Sequence, residues 1–188
     1  MNLKFEKKDI ITIPNLLSFF RIILIPIIVI LYCKYERYNE TTLVILLSGL
    51  TDVVDGWIAR HFHMISDFGK ILDPISDKLT QAAIMVCLFA RFPHMIYLFV
   101  LMAIKETLMG VTGLLSIRRS GEVHGADWHG KFTTCMLYAM MVVHILWAEI
   151  PKNISDILII VVAGVMLFSL ALYVMGNVKR IKDAKNVA

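Results

Sequence analysis

Four aspartates, Asp52, Asp55, Asp73 and Asp77, fall in one stretch of a chain that is 58% hydrophobic. Asp52 and Asp55 are spaced i,i+3, and Asp73 and Asp77 are spaced i,i+4. On helices, each spacing puts its pair on one face. Carboxylates set among apolar runs are costly unless paired, coordinated or hydrated. Four that face one another repel strongly at low dielectric. Divalent cations are the simplest way to hold them together, and Mg²⁺ or Mn²⁺ prefers oxygen ligands. Two such ions on four carboxylates make a clamp for phosphoryl chemistry. The structural alternative is salt bridging to Arg60, Lys70 and Lys78, which are only three cations.

The neighbouring residues are small. Gly56 follows Asp55, Ala59 lies one turn on, and Gly69 precedes Asp73 by four. Together they leave a trough in which a flat ligand approaches the backbone. Tight helix packing explains small residues equally well, and the two readings are compatible. Arg60 ends its helix at the same mouth. Its guanidinium can pair with a phosphate through two bonds, or can simply snorkel to the interface.

The elements that must carry these residues are membrane helices. Ordinary soluble domains are about 45–50% apolar, and a span needs ~20 largely apolar residues. Six runs qualify, at roughly 15–33, 41–60, 68–90, 94–117, 130–148 and 154–178. Arg21 interrupts the first, and Pro26 is expected to bend it. Residues 3–10 alternate apolar and charged residues, as a surface-lying helix does. The expected fold is therefore all-α: six transmembrane helices and a short N-terminal amphipathic surface helix. It forms a single membrane domain over 1–188, with 1–12 as a juxtamembrane segment. The first run lacks a small-residue cleavage site and reads as retained. The connection over 60–67 is short, so the second and third spans should be antiparallel neighbours with both acidic pairs at similar depth.

Twelve basic residues lie in the N-terminal segment, the 60–70 and 118–131 loops and the tail; four lie on the opposite side. The positive-inside rule then puts both termini and the aspartates at the cytoplasmic face. The net charge of +4 is spread in this topological pattern, which does not suit nucleic acid. Cys33, Cys87 and Cys135 have no ligand spacing and read as small apolar residues. The eleven methionines read as core or lipid-facing filler.

The run TDVVDGWIARHFHMISDFGKILDPISDK, residues 51–78, reads as D-x-x-D-G-x-x-A-R, eight residues, then G-x-x-x-D-x-x-x-D. Every fixed position is filled, over 26 residues. This pattern resembles the signature of the CDP-alcohol phosphotransferase (CDP-alcohol phosphatidyltransferase) family. The resemblance extends over most of the chain, because that family also has six membrane helices. It implies an enzyme of phospholipid biosynthesis that uses a CDP-linked donor, usually CDP-diacylglycerol. An acceptor alcohol attacks the β-phosphorus and CMP leaves. It implies two divalent metal ions, Mg²⁺ or Mn²⁺, held by Asp52, Asp55 and Asp73. Asp77 would complete that site and act as general base. Gly56, Ala59 and Gly69 would make room for cytidine, with Asp52 and Asp73 beside the donor, and Arg60 would bind the diphosphate. It implies a homodimer among membrane lipids.

The acceptor is less sharply marked. The segment IPNLLSFFRIILIP, residues 13–26, resembles the opening of phosphatidylglycerophosphate synthases, whose acceptor is glycerol 3-phosphate. Cardiolipin synthases, whose acceptor is phosphatidylglycerol, open similarly. Gly130-Lys131 with Thr133 and Thr134 is similar to a stretch of the phosphatidylglycerophosphate synthases. Lys105-Glu106 departs from their usual Arg-Glu. A phosphorylated acceptor needs a basic pocket, for which Lys131, Arg118, Arg119, Lys105 and Arg21 are the candidates. Topology alone also explains the loop arginines, and Lys105 and Glu106 suit a buried structural pair. His61, His63, His124 and His129 lack zinc-site spacing and read as exposed or interfacial. A divalent-cation transporter also uses intramembrane carboxylates, but its site belongs at the midplane between repeats, and no repeat is visible.

Overall fold

The computed structural model describes residues 12–62, 64, 66, 68–120 and 128–187, without the side chains of 70, 114–120 and 180–187. The expected surface helix over 3–10 lies outside the described residues. Those described form six helices and no strand. They are α1 (Ile13–Cys33), α2 (Tyr38–His61), α3 (Gly69–Phe89), α4 (Met95–Ser120), α5 (Trp128–Leu146) and α6 (Lys152–Val187).

All six expected helices are present. Four of them, α1, α2, α4 and α6, are long and apolar enough to cross a membrane. α3 and α5 are not among these. The reason lies at their starts: α3 carries Lys70, Asp73, Asp77 and Lys78, and α5 opens on His129, Gly130 and Lys131. These polar turns take up length that a span would fill with apolar residues. α6 runs past the expected end at 178, because its charged tail stays helical to Val187.

The chain divides into two compact units, residues 1–91 with 145–148 and residues 92–144 with 149–188. In the first unit α1 is the central element, and both α2 and α3 pack on it. Thr12 caps α1: its hydroxyl accepts from the Asn15 N–H at 3.4 Å, and Pro14 occupies the first turn where no N–H is needed. The buried face of α1 is Pro14, Asn15, Ser18, Arg21, Leu24, Ile28 and Tyr32, an i,i+3/i+4 stripe. Its first half is polar and its second half apolar. The other faces expose Leu16, Ile23, Ile27 and Ile30, a surface suited to hydrocarbon. α2 buries a matching stripe, Thr41, Ile45, Ser48 and Asp55. Small and polar residues at such seams let helices approach closely.

The α1–α2 turn holds Glu36 in the left-handed region at φ 51°. There Tyr32 and Tyr38 meet edge to face at 5.5 Å, and Arg91 donates to the Tyr38 hydroxyl at 2.5 Å. Aromatic and basic residues of this kind mark a membrane–water interface.

In the second unit α4 packs on α6, and the Asn177 amide donates to Thr112 Oγ1 at 3.0 Å. His144 is fully buried in α5; Nδ1–H donates to the Met140 carbonyl at 2.8 Å, and Nε2 lies 2.9 Å from Ser155 Oγ. Met95, Met102, Met140, Met141 and Met166 are buried in core positions. The three cysteines are free thiols.

Candidate functional site

Asp52, Asp55 and Asp73 meet at α1. Asp52 and Asp55 come from the last three turns of α2, and Asp73 and Asp77 from the first three turns of α3. From α1, Arg21 reaches between them. Its Nη1 pairs with Asp52 Oδ1, its Nη2 lies 2.8 Å from Asp55 Oδ2, and the same Nη2 lies 3.9 Å from Asp73 Oδ1. Ser18, one turn before, is fully buried; its hydroxyl bonds Asp73 Oδ1 and lies 3.4 Å from Asp55 Oδ2. The expected α2–α3 apposition is thus mediated by a third helix. The cation that gathers three of the acids is none of the expected three.

Charge explains the arrangement. A buried arginine is strongly unfavourable without partners, and so is a buried carboxylate. Arg21 is 2% exposed and Asp55 3%, so each offsets the desolvation of the other. Asp52 and Asp73 remain 49% and 39% exposed, open toward solvent or ligand. Asp77 accepts from the Gln81 amide at 3.0 Å and lies 3.8 Å from Lys78 Nζ. Asp52, Asp55 and Asp73 face Arg21, and these four side chains carry two net negative charges when all are ionised. That residual charge and the all-oxygen donor set fit a divalent cation of the Mg²⁺ type. Among the described residues, no three His, Cys, Asp or Glu side chains converge as a ready-made cage. The Arg21 guanidinium stands where they would converge.

The small residues divide. A Cβ added at Gly56 would lie 3.7 Å from the Arg60 guanidinium, so Arg60 folds back along α2 over Gly56. Arg60 is exposed and has no carboxylate partner among the described residues. Gly69 has a packing reason. A Cβ there would stand 2.5 Å from Asn15 Oδ1 and 3.0 Å from Ser66 Oγ. Ser66 Oγ accepts the Gly69 N–H at 2.9 Å, and Asn15 Nδ2 donates to the same oxygen at 3.1 Å. Asn15, Ser18 and Arg21 form one polar face of α1, and this helix start is tied to the α3 start. Their i,i+3 spacing inside an apolar run is the signal that sequence reasoning passed over.

The acceptor candidates separate as well. Arg21 belongs to the aspartate cluster. Lys105 is buried and lies 3.4 Å from Glu106, and Lys131 is exposed on α5; both are in the second unit. The side chains of Arg118 and Arg119 lie outside the described residues. His61 is exposed and stacks on Trp57 at 4.9 Å, as an interfacial residue does. His129 corrects its reading as an exposed or interfacial residue. It is buried in α5, 2.9 Å from Ser169 Oγ and edge-on to Tyr173 at 4.6 Å. A hydroxyl partner and an aromatic neighbour supply what a buried imidazole needs. Gly130 lets that contact close, since a Cβ would stand 3.1 Å from the Tyr173 hydroxyl. His63 and His124 lie outside the described residues.

The chain is 40% identical over 85 residues to a cardiolipin synthase (CMP-forming) / mitochondrial hydrolase fusion protein of Schizosaccharomyces pombe, covering 45% of this chain and 14% of that protein. It is 35% identical over 102 residues to a CDP-diacylglycerol–inositol 3-phosphatidyltransferase of the same yeast, covering 53% and 42%. It is 31% identical over 137 residues to a CDP-diacylglycerol–glycerol-3-phosphate 3-phosphatidyltransferase of Bacillus subtilis, covering 65% and 70%. The match spans less than half the length of the first two. The family model for CDP-alcohol phosphatidyltransferase matches residues 11–175, which takes in α1 to α5 and most of α6, so the chain belongs to the CDP-alcohol phosphatidyltransferase family.

Proposed function

We propose that this chain transfers a phosphatidyl group from CDP-diacylglycerol to glycerol 3-phosphate, releasing CMP and forming phosphatidylglycerophosphate. The observation that carries this reading is the gathering of Asp52, Asp55 and Asp73 from two helices around one positive charge. A cluster that holds a cation, beside an exposed Arg60 without a carboxylate partner among the described residues, is what a diphosphate ligand needs.

Asp52, Asp55, Asp73 and Asp77 would hold two divalent ions, Mg²⁺ or Mn²⁺. When bound, such ions neutralise charge on the diphosphate and the departing CMP. Arg60 pairs with the diphosphate, and Gly56 and Ala59 leave its approach open. Asp77 takes the proton from the acceptor hydroxyl as that oxygen bonds to the β-phosphorus and the bond to CMP breaks. The Gln81 amide orients the Asp77 carboxylate for this role. Lys131, Arg118, Arg119 and Lys105 form the acceptor's anion pocket. The chain crosses the membrane six times as a homodimer, with its termini and aspartates cytoplasmic. The basic-residue asymmetry supports that orientation.

A second reading, a cardiolipin synthase with phosphatidylglycerol as acceptor, is favoured by the 40% identity over 85 residues to the fission-yeast fusion protein. The purified chain in detergent, given CDP-diacylglycerol and Mg²⁺, should release CMP with glycerol 3-phosphate. Release with phosphatidylglycerol alone moves the assignment to the second reading. Release with inositol phosphate or serine alone, or no release with any acceptor, rejects both.

A further inference from the structure

We propose that Arg21 is a positioning residue of the aspartate site: a built-in cation that holds Asp52, Asp55 and Asp73 together until a divalent ion takes carboxylate oxygens from it. The inference rests on the reading of these aspartates as metal ligands.

Among the described lysine and arginine side chains only Arg21 and Lys105 are buried, and of the two Arg21 is the one set among the aspartates. It is 2% exposed, in the third turn of the helix that both α2 and α3 pack against. It cannot snorkel and it cannot meet a soluble acceptor in this arrangement. Its two terminal nitrogens are committed to carboxylates of two different helices. The oxygens it engages on Asp52 and Asp55 are the atoms an ion requires. A planar guanidinium spreads its partners around a fork, whereas a small ion draws them to one point. That difference accounts for a cluster rich in acids without a formed cage.

Arg21 is also incompletely satisfied. Its Nε is buried with no hydrogen-bond partner, although most buried donors are paired. The present position is therefore held by the carboxylates and not by a full set of bonds. Ser18 also holds Asp73 through its hydroxyl, whose oxygen accepts from Arg21 Nη2 at 3.3 Å.

The direction of the effect follows from linkage. Arg21 stabilises the arrangement without an ion, so it lowers affinity for the ion that displaces it. Without Arg21 the three acids repel one another, and an ion relieves more. Removing Arg21 should thus destabilise the ion-free protein and tighten ion binding.

The test uses the full chain in detergent without substrate. Mn²⁺ is titrated while free Mn²⁺ is followed by electron paramagnetic resonance, and thermal unfolding is recorded in chelator and in Mn²⁺. Arg21→Met should lower the Mn²⁺ Kd at least about tenfold, equivalent to about 1.4 kcal/mol. It should lower Tm in chelator and enlarge the rise in Tm that Mn²⁺ produces. Arg21→Lys keeps a charge but loses the fork, and should fall between. If the methionine variant does not fold, the lysine variant decides, since its Kd must still be tighter than that of the parent. Unchanged or weaker Mn²⁺ binding in the variants, with Tm lowered equally in both conditions, makes Arg21 a plain helix tie and overturns the proposal. A raised acceptor KM with unchanged Mn²⁺ binding makes it an acceptor ligand instead. Failure of the unmodified chain to bind Mn²⁺ rejects the metal-ligand reading itself, a result distinct from failure in the variants alone.

Discussion

Arg21 Nη2 stands 2.8 Å from Asp55 Oδ2, and both side chains are closed off from the surroundings. The contact joins α1 to α2 at the depth where α3 brings Asp73. One ion pair therefore sets both the packing of three helices and the place of three candidate ligands. Structure and proposed chemistry share the same atoms, and variants here must be read for stability and for function separately.

Asp55→Ala should destabilise the fold more than any other single aspartate substitution. It leaves Arg21 buried with the partly exposed Asp52 as its main partner. Breaking one side of a buried pair costs about 3–5 kcal/mol, and the remaining partner puts the loss at the lower end. Thermal unfolding in detergent checks this, and an unchanged Tm would contradict the buried pair.

Asp77→Asn should stop CMP release while the fold survives. Asparagine keeps an oxygen for the Gln81 amide, so the local hydrogen bond persists. Loss of a general base reduces turnover by about 10²–10⁴-fold. Nucleotide binding, measured by titration, should change little. A drop in Tm comparable to that of Asp55→Ala would make Asp77 structural.

Arg60→Lys should raise the KM for the CDP-linked donor and leave Tm unchanged. Arg60 has no carboxylate partner among the described residues, so little packing is lost. Lysine cannot form the paired bonds of a guanidinium to phosphate, a loss of about 1.5–3 kcal/mol or roughly 10–150-fold. Steady-state CMP release against donor concentration gives the number.

Gly69→Ala should destabilise the protein by about 1–3 kcal/mol, as overpacking does. The new methyl would stand 2.5 Å from Asn15 Oδ1, which is buried and bonded to Ser66. Combining it with Asn15→Ala should cost less than the sum of the two single changes, because the clash partner is gone. Additive losses in unfolding experiments would show that Gly69 is not held by Asn15. If Gly69 instead only makes room for cytidine, the single change would weaken nucleotide binding without lowering Tm.

Much of this was legible in the chain itself. The positions of all six helices followed from apolar runs, because hydrophobic periodicity and length are local properties. The four aspartates, Gly56, Ala59 and Arg60 stood out through spacing on a helix face, which is also local. α3 and α5 fall outside the helices long and apolar enough to cross, because polar residues occupy their first turns and dilute the apolar signal.

What the sequence determined by itself was which side chains could do chemistry and on which helices they sit. Only the tertiary structure decided their partners. Arg21, sorted with the acceptor candidates, sits among the acids, and Gly69, read as part of a trough or as tight packing, lies against Asn15 and Ser66. His129, read from its loop, turned out to face Ser169 and Tyr173 on another helix. Apart from Gly69–Ser66, each of these contacts joins residues more than 30 positions apart, and spacing along one helix carries no information about which face of another it meets.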